Sequence, residues 1–158
     1  MSAFDLNTEI GAAADERMRA EMVGWLTTVA RDGTPQSSPV AYLWDGETIA
    51  VWSEPDAPKV TNLVENHRCS FHLNSDHAGL HVISIEGTAH LPPDGPAWNE
   101  VPSFVEKYAE EFAAVWNLDL DRTAAQFRQQ IVITPGRTRI WLGSVQEKPV
   151  VGHITTTL

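Results

Sequence analysis

Residues 25–53 read WLTTVARDGTPQSSPVAYLWDGETIAVWS, and the fold turns on this stretch. Three runs rich in aromatic and β-branched residues, Trp25–Ala30, Gln36–Trp44 and Thr48–Ser53, predict strands. Between them stand Asp32-Gly33 and Asp45-Gly46. Glycine supplies the positive φ that a tight hairpin needs, so Asp-Gly between apolar runs signals a turn. Two such turns joining three strands make a meander, and hence an antiparallel sheet.

On the N-terminal side, residues 8–22 predict a helix, with Thr8 as N-cap and Ile10, Met18 and Met22 as its apolar positions. On the C-terminal side, Glu54-Pro55-Asp56-Ala57-Pro58 forms a loop. Lys59–Glu65 then predicts a short helix, with Asp56 as candidate cap and Pro58 at an early helical position. Cys69–Leu73 and Leu80–Leu91 predict a fourth and a fifth strand, the latter with Val82, Ile83 and Ile85 turned to the core. Pro92 to Pro96 stops it. Residues 97–116 space Trp98, Val101, Phe104, Val105, Tyr108, Phe112 and Trp116 as on helices. A further short helix opens at Asp121. Ile131–Thr134 and Thr138–Leu142 predict two closing strands around Pro135-Gly136, and the tail after Pro149 is expected to be loose. There is no repeat, linker or second domain. Antiparallel strands with peripheral helices predict an α+β barrel.

The formal net charge of −10 argues against a nucleic-acid binder, which needs clustered Lys and Arg, and against anionic membrane surfaces. Any anionic ligand needs a local positive pocket. A single cysteine, Cys69, excludes a disulfide within the chain and a Cys-based zinc site. His77 and His81 stand four apart, as on a zinc helix, but at a loop-to-strand junction, and no HExxH or carboxylate partner follows, so no metal is expected. GxGxxG, Walker and GxSxG motifs are absent, against Rossmann, P-loop and hydrolase chemistry. Residues 1–6 do not join a basic region to an apolar run, and no stretch approaches the length of a membrane span. A cytoplasmic protein is expected.

Two stretches carry candidate chemistry. In Ser53-x5-Lys59-x2-Asn62-Leu63, a helix N-terminus offers unpaired N–H groups and a partial positive charge, which suit a phosphate. Lys59 in the first turn opposes the helix dipole, and a bound anion would remove that conflict. A solvated surface lysine is the plain alternative. In Gln36-Ser37-Ser38-Pro39-Val40, a proline within a strand must lie at an edge or a bulge. Backbone freed there can meet a heteroaromatic ring, or Pro39 is an ordinary edge proline.

From Gly24 to Asn74 the chain resembles the pyridoxamine-phosphate-oxidase-like superfamily, and more closely its deazaflavin (coenzyme F420) dependent branch. The resemblance lies in Leu26-Thr27-Thr28-Val29, Asp32-Gly33-Thr34-Pro35-Gln36, Ser38-Pro39-Val40, the Ser53…Lys59-x2-Asn62-Leu63 segment and Glu86-Gly87-Thr88-Ala89. Weaker similarity continues to Trp141. It implies one split β-barrel domain over residues 1–158: an N-terminal helix within 1–22, a cofactor-binding barrel core over 23–91, a helical insertion over 96–128 and closing strands over 131–142. It also implies a homodimer with the cofactor between subunits. Lys59 and Ser53 would hold the phosphate, Asn62 and Leu63 would support that loop, Ser38, Pro39 and Val40 would line the ring system, and Trp52 would flank it. The implied activity is hydride transfer from reduced F420 to a small conjugated substrate. An FMN enzyme of the same fold or a non-catalytic cofactor carrier is the alternative. No catalytic residue is assigned. The Arg-x-Val-Leu-Lys run of pyridoxamine-phosphate oxidases proper is replaced here by Ser38-Pro39-Val40-Ala41-Tyr42, and Gly143-Ser144-Val145-Gln146 stands where their Arg- and His-containing substrate motif would. Both departures argue against vitamin B6 oxidation.

Overall fold

The computed structural model describes residues 3–114, 119–143 and 150–153. Helix α1 spans Glu9–Ala20, and the Thr8 hydroxyl caps it by accepting from the Gly11 N–H at 3.1 Å. Strands β1 (Val23–Val29), β2 (Pro35–Trp44) and β3 (Ile49–Ser53) form the meander. Gly33 (φ 88°) and Gly46 (φ 101°) supply the left-handed residue in its two turns. Helix α2 (Pro58–Glu65), β4 (Arg68–Leu73) and β5 (Val82–His90) follow. A 3-10 turn at Trp98–Glu100, α3 (Pro102–Ala114) and α4 (Leu120–Gln126) then lead into β6 (Gln129–Trp141) and β7 (Val150–His153).

The sheet order is β3-β2-β1-β4-β5-β6-β7, all antiparallel, and β3 also pairs with β6. That last pairing closes six strands into a barrel and leaves β7 as an extra strand. The closure is possible because β6 is long. Its start, Gln129–Ile133, pairs with β3, and its end, Arg137–Ile140, pairs with β7. The architecture is an α+β split barrel. Alternation along each strand fills the interior with Leu26, Tyr42, Val51, Phe71, Ile83, Ile85, Ile131 and Ile133, and Met18 of α1 and Leu63 of α2 join them. A second apolar cluster of Trp52, Trp98, Phe104, Tyr108, Phe112 and Ala124 fixes the segment between β5 and β6 onto β2 and β3.

Three local expectations change. Pro135-Gly136 is not a turn, because β6 runs straight through it. Glu86 pairs with Arg137 and Gly87 with Pro135, so Gly136 is the extra residue of a bulge. The tail is not loose at Val150–His153, which forms β7. Asp56 is not the cap of α2, since Ala57 occupies the N-cap position without a side-chain bond. Between Trp98 and Ala114 the helical spacing is realised as a 3-10 turn and α3, which Pro102 separates by disfavouring helical geometry at Val101. Trp116 and residues 144–149 lie outside the described residues.

Candidate functional site

Pro39 has no N–H to give to a neighbouring strand. It pairs with Trp25 on the β1 side, while β3 accompanies β2 only along Tyr42–Trp44. The outer edge of β2 at Pro39 and Val40 is therefore open. A cavity of about 310 Å3 lies against it, within the range of small-molecule sites. Its barrel wall is Pro39, Val40, Ala41, Trp52 and Ser53, and Lys59 of α2 closes one end. Its other wall comes from the segment between β5 and β6: Trp98, Phe104, Phe112, Thr123 and Phe127.

On the other side of Lys59 lies a second, polar cleft of about 220 Å3, lined by Thr28, Gln36, Ser37, Ser38, Pro58 and Lys59. Lys59 is the residue common to both hollows. It sits at the second position of α2, behind the N1 proline, where the helix dipole repels a cation. The side chain is half-buried, and burial pushes its ammonium below the ordinary lysine range, against a weaker upward pull from Glu54. Among the described residues it makes no hydrogen bond and no ion pair. Glu54 is itself hydrogen-bonded to Gln126 of α4. A desolvated, unpartnered ammonium at a helix start is stabilised most simply by an anion.

Of the eight residues expected from the sequence, Pro39, Val40, Trp52, Ser53 and Lys59 line the aromatic cavity, and Ser38 lines the polar cleft. Asn62 and Leu63 line neither hollow. The buried Asn62 amide donates to Thr28 Oγ1 and Gln36 Oε1, both at 2.9 Å, and so ties α2 to the β1–β2 ladder. Leu63 is wholly inside the barrel core. These two residues hold the helix that carries Lys59.

Sequence reasoning did not single out Thr28, Trp98, Phe104, Phe112, Thr123 or Phe127 as site residues. The helical spacing of Trp98, Phe104 and Phe112 was visible, but spacing alone does not tell which surface an aromatic face covers. The His77–His81 loop lies elsewhere. Arg17 binds the carbonyls of Asn74 and His81, and Asp76 accepts from the Ala78 and Leu80 amides. Among the described residues no three His, Cys, Asp or Glu side chains gather as a metal site would require. No described helix is long and apolar enough to cross a membrane.

The profile of the pyridoxamine 5'-phosphate oxidase family matches residues 10–142. None of the curated proteins compared matches the chain. Among solved structures, it is similar to the conserved hypothetical protein Rv2991 from Mycobacterium tuberculosis, at 25% identity and a TM-score of 0.64, over 85% of this chain and 84% of that one. It is similar in fold to an F420 reductase, at 20% identity and a TM-score of 0.58, over 77% of this chain and 91% of that one. It is also similar in fold to the heme storage protein HutZ from Vibrio cholerae, at 18% identity and a TM-score of 0.60, over 81% and 90%. The profile match takes in α1, all six barrel strands and the two-walled cavity beside Lys59, and on that ground the chain belongs to the pyridoxamine 5'-phosphate oxidase family.

Proposed function

We propose that the protein is an oxidoreductase that binds coenzyme F420 and reduces a small conjugated organic substrate. The observation that carries this reading is the unpartnered, half-buried Lys59 ammonium between a polar cleft and an aromatic cavity. A ligand with a ring at one end and a phosphate further along matches that sequence of surfaces. Its ring lies against Pro39, Val40 and Trp52. Its polar chain and phosphate meet Lys59, Ser53 and Ser38. Asn62 and Leu63 keep α2, and with it Lys59, in register with β1 and β2.

At the phosphate, charge favours F420 over FMN. The phosphate of FMN is a monoester dianion, and among the described residues lining the two hollows Lys59 is the one cation. The phosphodiester of F420 carries a single negative charge, which a single lysine can balance. Vitamin B6 oxidation is disfavoured on the same ground, since the described residues lining the two hollows offer no second cation for another phosphate. A heme reading lacks support, because none of the described residues lining either hollow is a histidine. The cofactor would supply the hydride, and the chain would supply position, apolar surroundings and charge balance. The protein acts as a cytoplasmic homodimer in this reading. Its outward sheet face carries the stacked pair Trp25–His72 (6.4 Å between ring centroids), both half-buried, which a second subunit would cover.

Titration with F420 and with FMN, followed by tryptophan fluorescence, tests the reading. F420 is expected to bind more tightly. Lys59→Ala should weaken F420 binding roughly tenfold to a hundredfold, the loss of one charge-assisted hydrogen bond. Its melting temperature without ligand should hold or rise, because the lysine opposes the dipole and is desolvated. Tighter FMN binding would move the assignment to an FMN enzyme. Unchanged affinity in the alanine variant would remove the phosphate role. Reoxidation of bound reduced F420 by conjugated acceptors separates a reductase from a carrier.

A further inference from the structure

On the outer face of the sheet, strand pairing sets Thr27, Ser70, Glu86 and Arg137 side by side across β1, β4, β5 and β6. A hollow of about 470 Å3 opens there, where the Gly136 bulge meets Gly87, two residues without side chains. Arg137 borders it from β6 and Arg68 from β4. We propose that this basin is a second anion site, separate from the one at Lys59, and that it binds the dianionic phosphoryl group of a phosphate monoester or of free phosphate. The proposal does not rest on the F420 reading.

Charge comes first. The protein carries a net charge of −10, yet two guanidinium groups line this hollow without a counter-charge. Glu86 is the one acid among the described residues that line it, and its carboxylate is bonded to Arg139. Among the described residues, the side chains of Arg137 and Arg68 make no hydrogen bond and no ion pair. Arg137 is half-buried, and its Nε is shut off from solvent with no acceptor. A guanidinium held in this way is costly without a ligand, and an anion in the hollow offsets that cost.

Geometry narrows the ligand. Arg68 and Arg137 stand on opposite sides of β5, so a group seated over Gly87 and Gly136 can meet a planar fork from each side. Ser70 and Thr88 add hydroxyl donors on the same rim. Two forks and two hydroxyls suit the three terminal oxygens of a phosphoryl dianion. The hollow is larger than a phosphate, which leaves room for the organic part of a monoester. A ridge divides it from Lys59: the Thr27 hydroxyl, on this rim, is hydrogen-bonded to the Ser37 hydroxyl, on the rim of the polar cleft. Trp25 and His72 are the next pair along β1 and β4 on this face, so a second subunit that covers them would stand beside the basin.

Calorimetry on the full chain tests the proposal at about pH 8, where phosphate and its monoesters are dianions. The probes are inorganic phosphate, glycerol 3-phosphate and, as a monoanion, dimethyl phosphate. Both dianions should bind at least about tenfold more tightly than dimethyl phosphate. Arg137→Gln should weaken them at least about tenfold, with a melting temperature that holds or rises, because a donor without an acceptor is lost. Gly136→Val should also weaken them by filling the hollow, since a Cβ there meets the Glu86 carbonyl oxygen at an ordinary 3.5 Å. Lys59→Ala should leave them within about twofold, which separates this site from the cofactor's. Tighter binding of glycerol 3-phosphate supports a monoester as the ligand, and equal binding of the two dianions supports free phosphate. No preference for the dianions, or an equal loss in Lys59→Ala and Arg137→Gln, would overturn the proposal. Sedimentation of the same samples covers the remaining outcome. If neither dianion binds the wild type and Arg137→Gln dissociates a dimer, the basin belongs to the subunit contact and the proposal falls.

Discussion

The two walls of the cavity are held by different forces. On the barrel side, Val40, Ala41 and Trp52 sit on strands locked by ladder hydrogen bonds to β1 and β6. On the other side, Trp98, Phe104 and Phe112 are held by ring packing and a few side-chain bonds. These include Trp52 Nε1 donating to the Pro96 carbonyl at 2.9 Å and the Tyr108 hydroxyl at the end of the β1–β2 pair. A wall of backbone ladders changes little when one side chain changes. A wall of packed rings changes with every substitution, so it is the wall on which substrate choice can vary while the barrel and the phosphate end stay fixed.

Phe104→Ala should break this contrast most strongly. Phe104 is 3% exposed and touches Trp52, Trp98 and Tyr108, so truncation should cost about 3–5 kcal/mol. The loss should be uneven. Hydrogen exchange should show α3 amides losing protection while the amides of β1 and β4 keep theirs. Equal loss in both would mean that the two walls unfold as one unit.

The same contrast governs how much of the molecule was legible beforehand. The hairpins at Asp32-Gly33 and Asp45-Gly46 are local chemistry, since each Asp carboxylate accepts from backbone N–H groups two or three residues ahead. The candidate residues Ser38, Pro39, Val40, Ser53 and Lys59 lie on that local framework or just beyond it. Pro135-Gly136 misled because its strand geometry depends on Gly87, far away in sequence. A Cβ at Gly87 would lie 2.7 Å from the Thr134 carbonyl oxygen, so the bulge needs glycine on the partner strand. The β7 pairing and the cavity role of Trp98 and Phe112 are long-range in the same way. Helical spacing announces an apolar face without naming the surface it meets.

Tyr108→Phe sharpens the comparison by removing one atom at the seam. The hydroxyl accepts from the Tyr42 N–H at 2.8 Å and lies 2.7 Å and 2.9 Å from the Met22 and Tyr42 carbonyl oxygens, to one of which its proton goes. Burial holds the phenol well above its ordinary pKa, so it remains a neutral donor. The ring is buried and the apolar packing survives in phenylalanine. The expected loss is about 1–3 kcal/mol in urea unfolding, the cost of stranding buried backbone groups. A loss near zero would mean that water replaces the hydroxyl and that the seam is wetter than it looks.

The smallest effect belongs to Lys107, on the solvent side of the same seam. Its ammonium donates to the Tyr42 carbonyl at 3.2 Å and lies 4.0 Å above the Tyr42 ring. Burial pushes it down to about 8, against an upward pull from the Glu21 carboxylate. A lysine whose folded pKa is depressed binds fewer protons in the folded chain than in the unfolded one. Stability therefore rises with pH from about 8 toward the ordinary lysine value of 10.5. Tyr42 and Tyr108 work the other way near the top of that window. Both phenols are raised by burial, so ionisation of the unfolded chain's tyrosines draws stability down above pH 10. Cys69 works the same way from lower pH, because burial pushes its thiol up to about 12 while the unfolded chain's thiol ionises from about pH 8 upward. Between pH 8 and 10 the difference between the two proteins therefore reads Lys107: the urea midpoint of the wild type should rise relative to that of Lys107→Met. Below pH 8 the methionine variant forgoes a cation–π contact of about 0.5–1 kcal/mol but also the desolvation of a charge, so the two proteins should lie close together. Parallel midpoints from pH 7 to 10 would place the Lys107 ammonium in solvent and leave the second wall to its ring packing and to the hydrogen bonds of Trp52 and Tyr108.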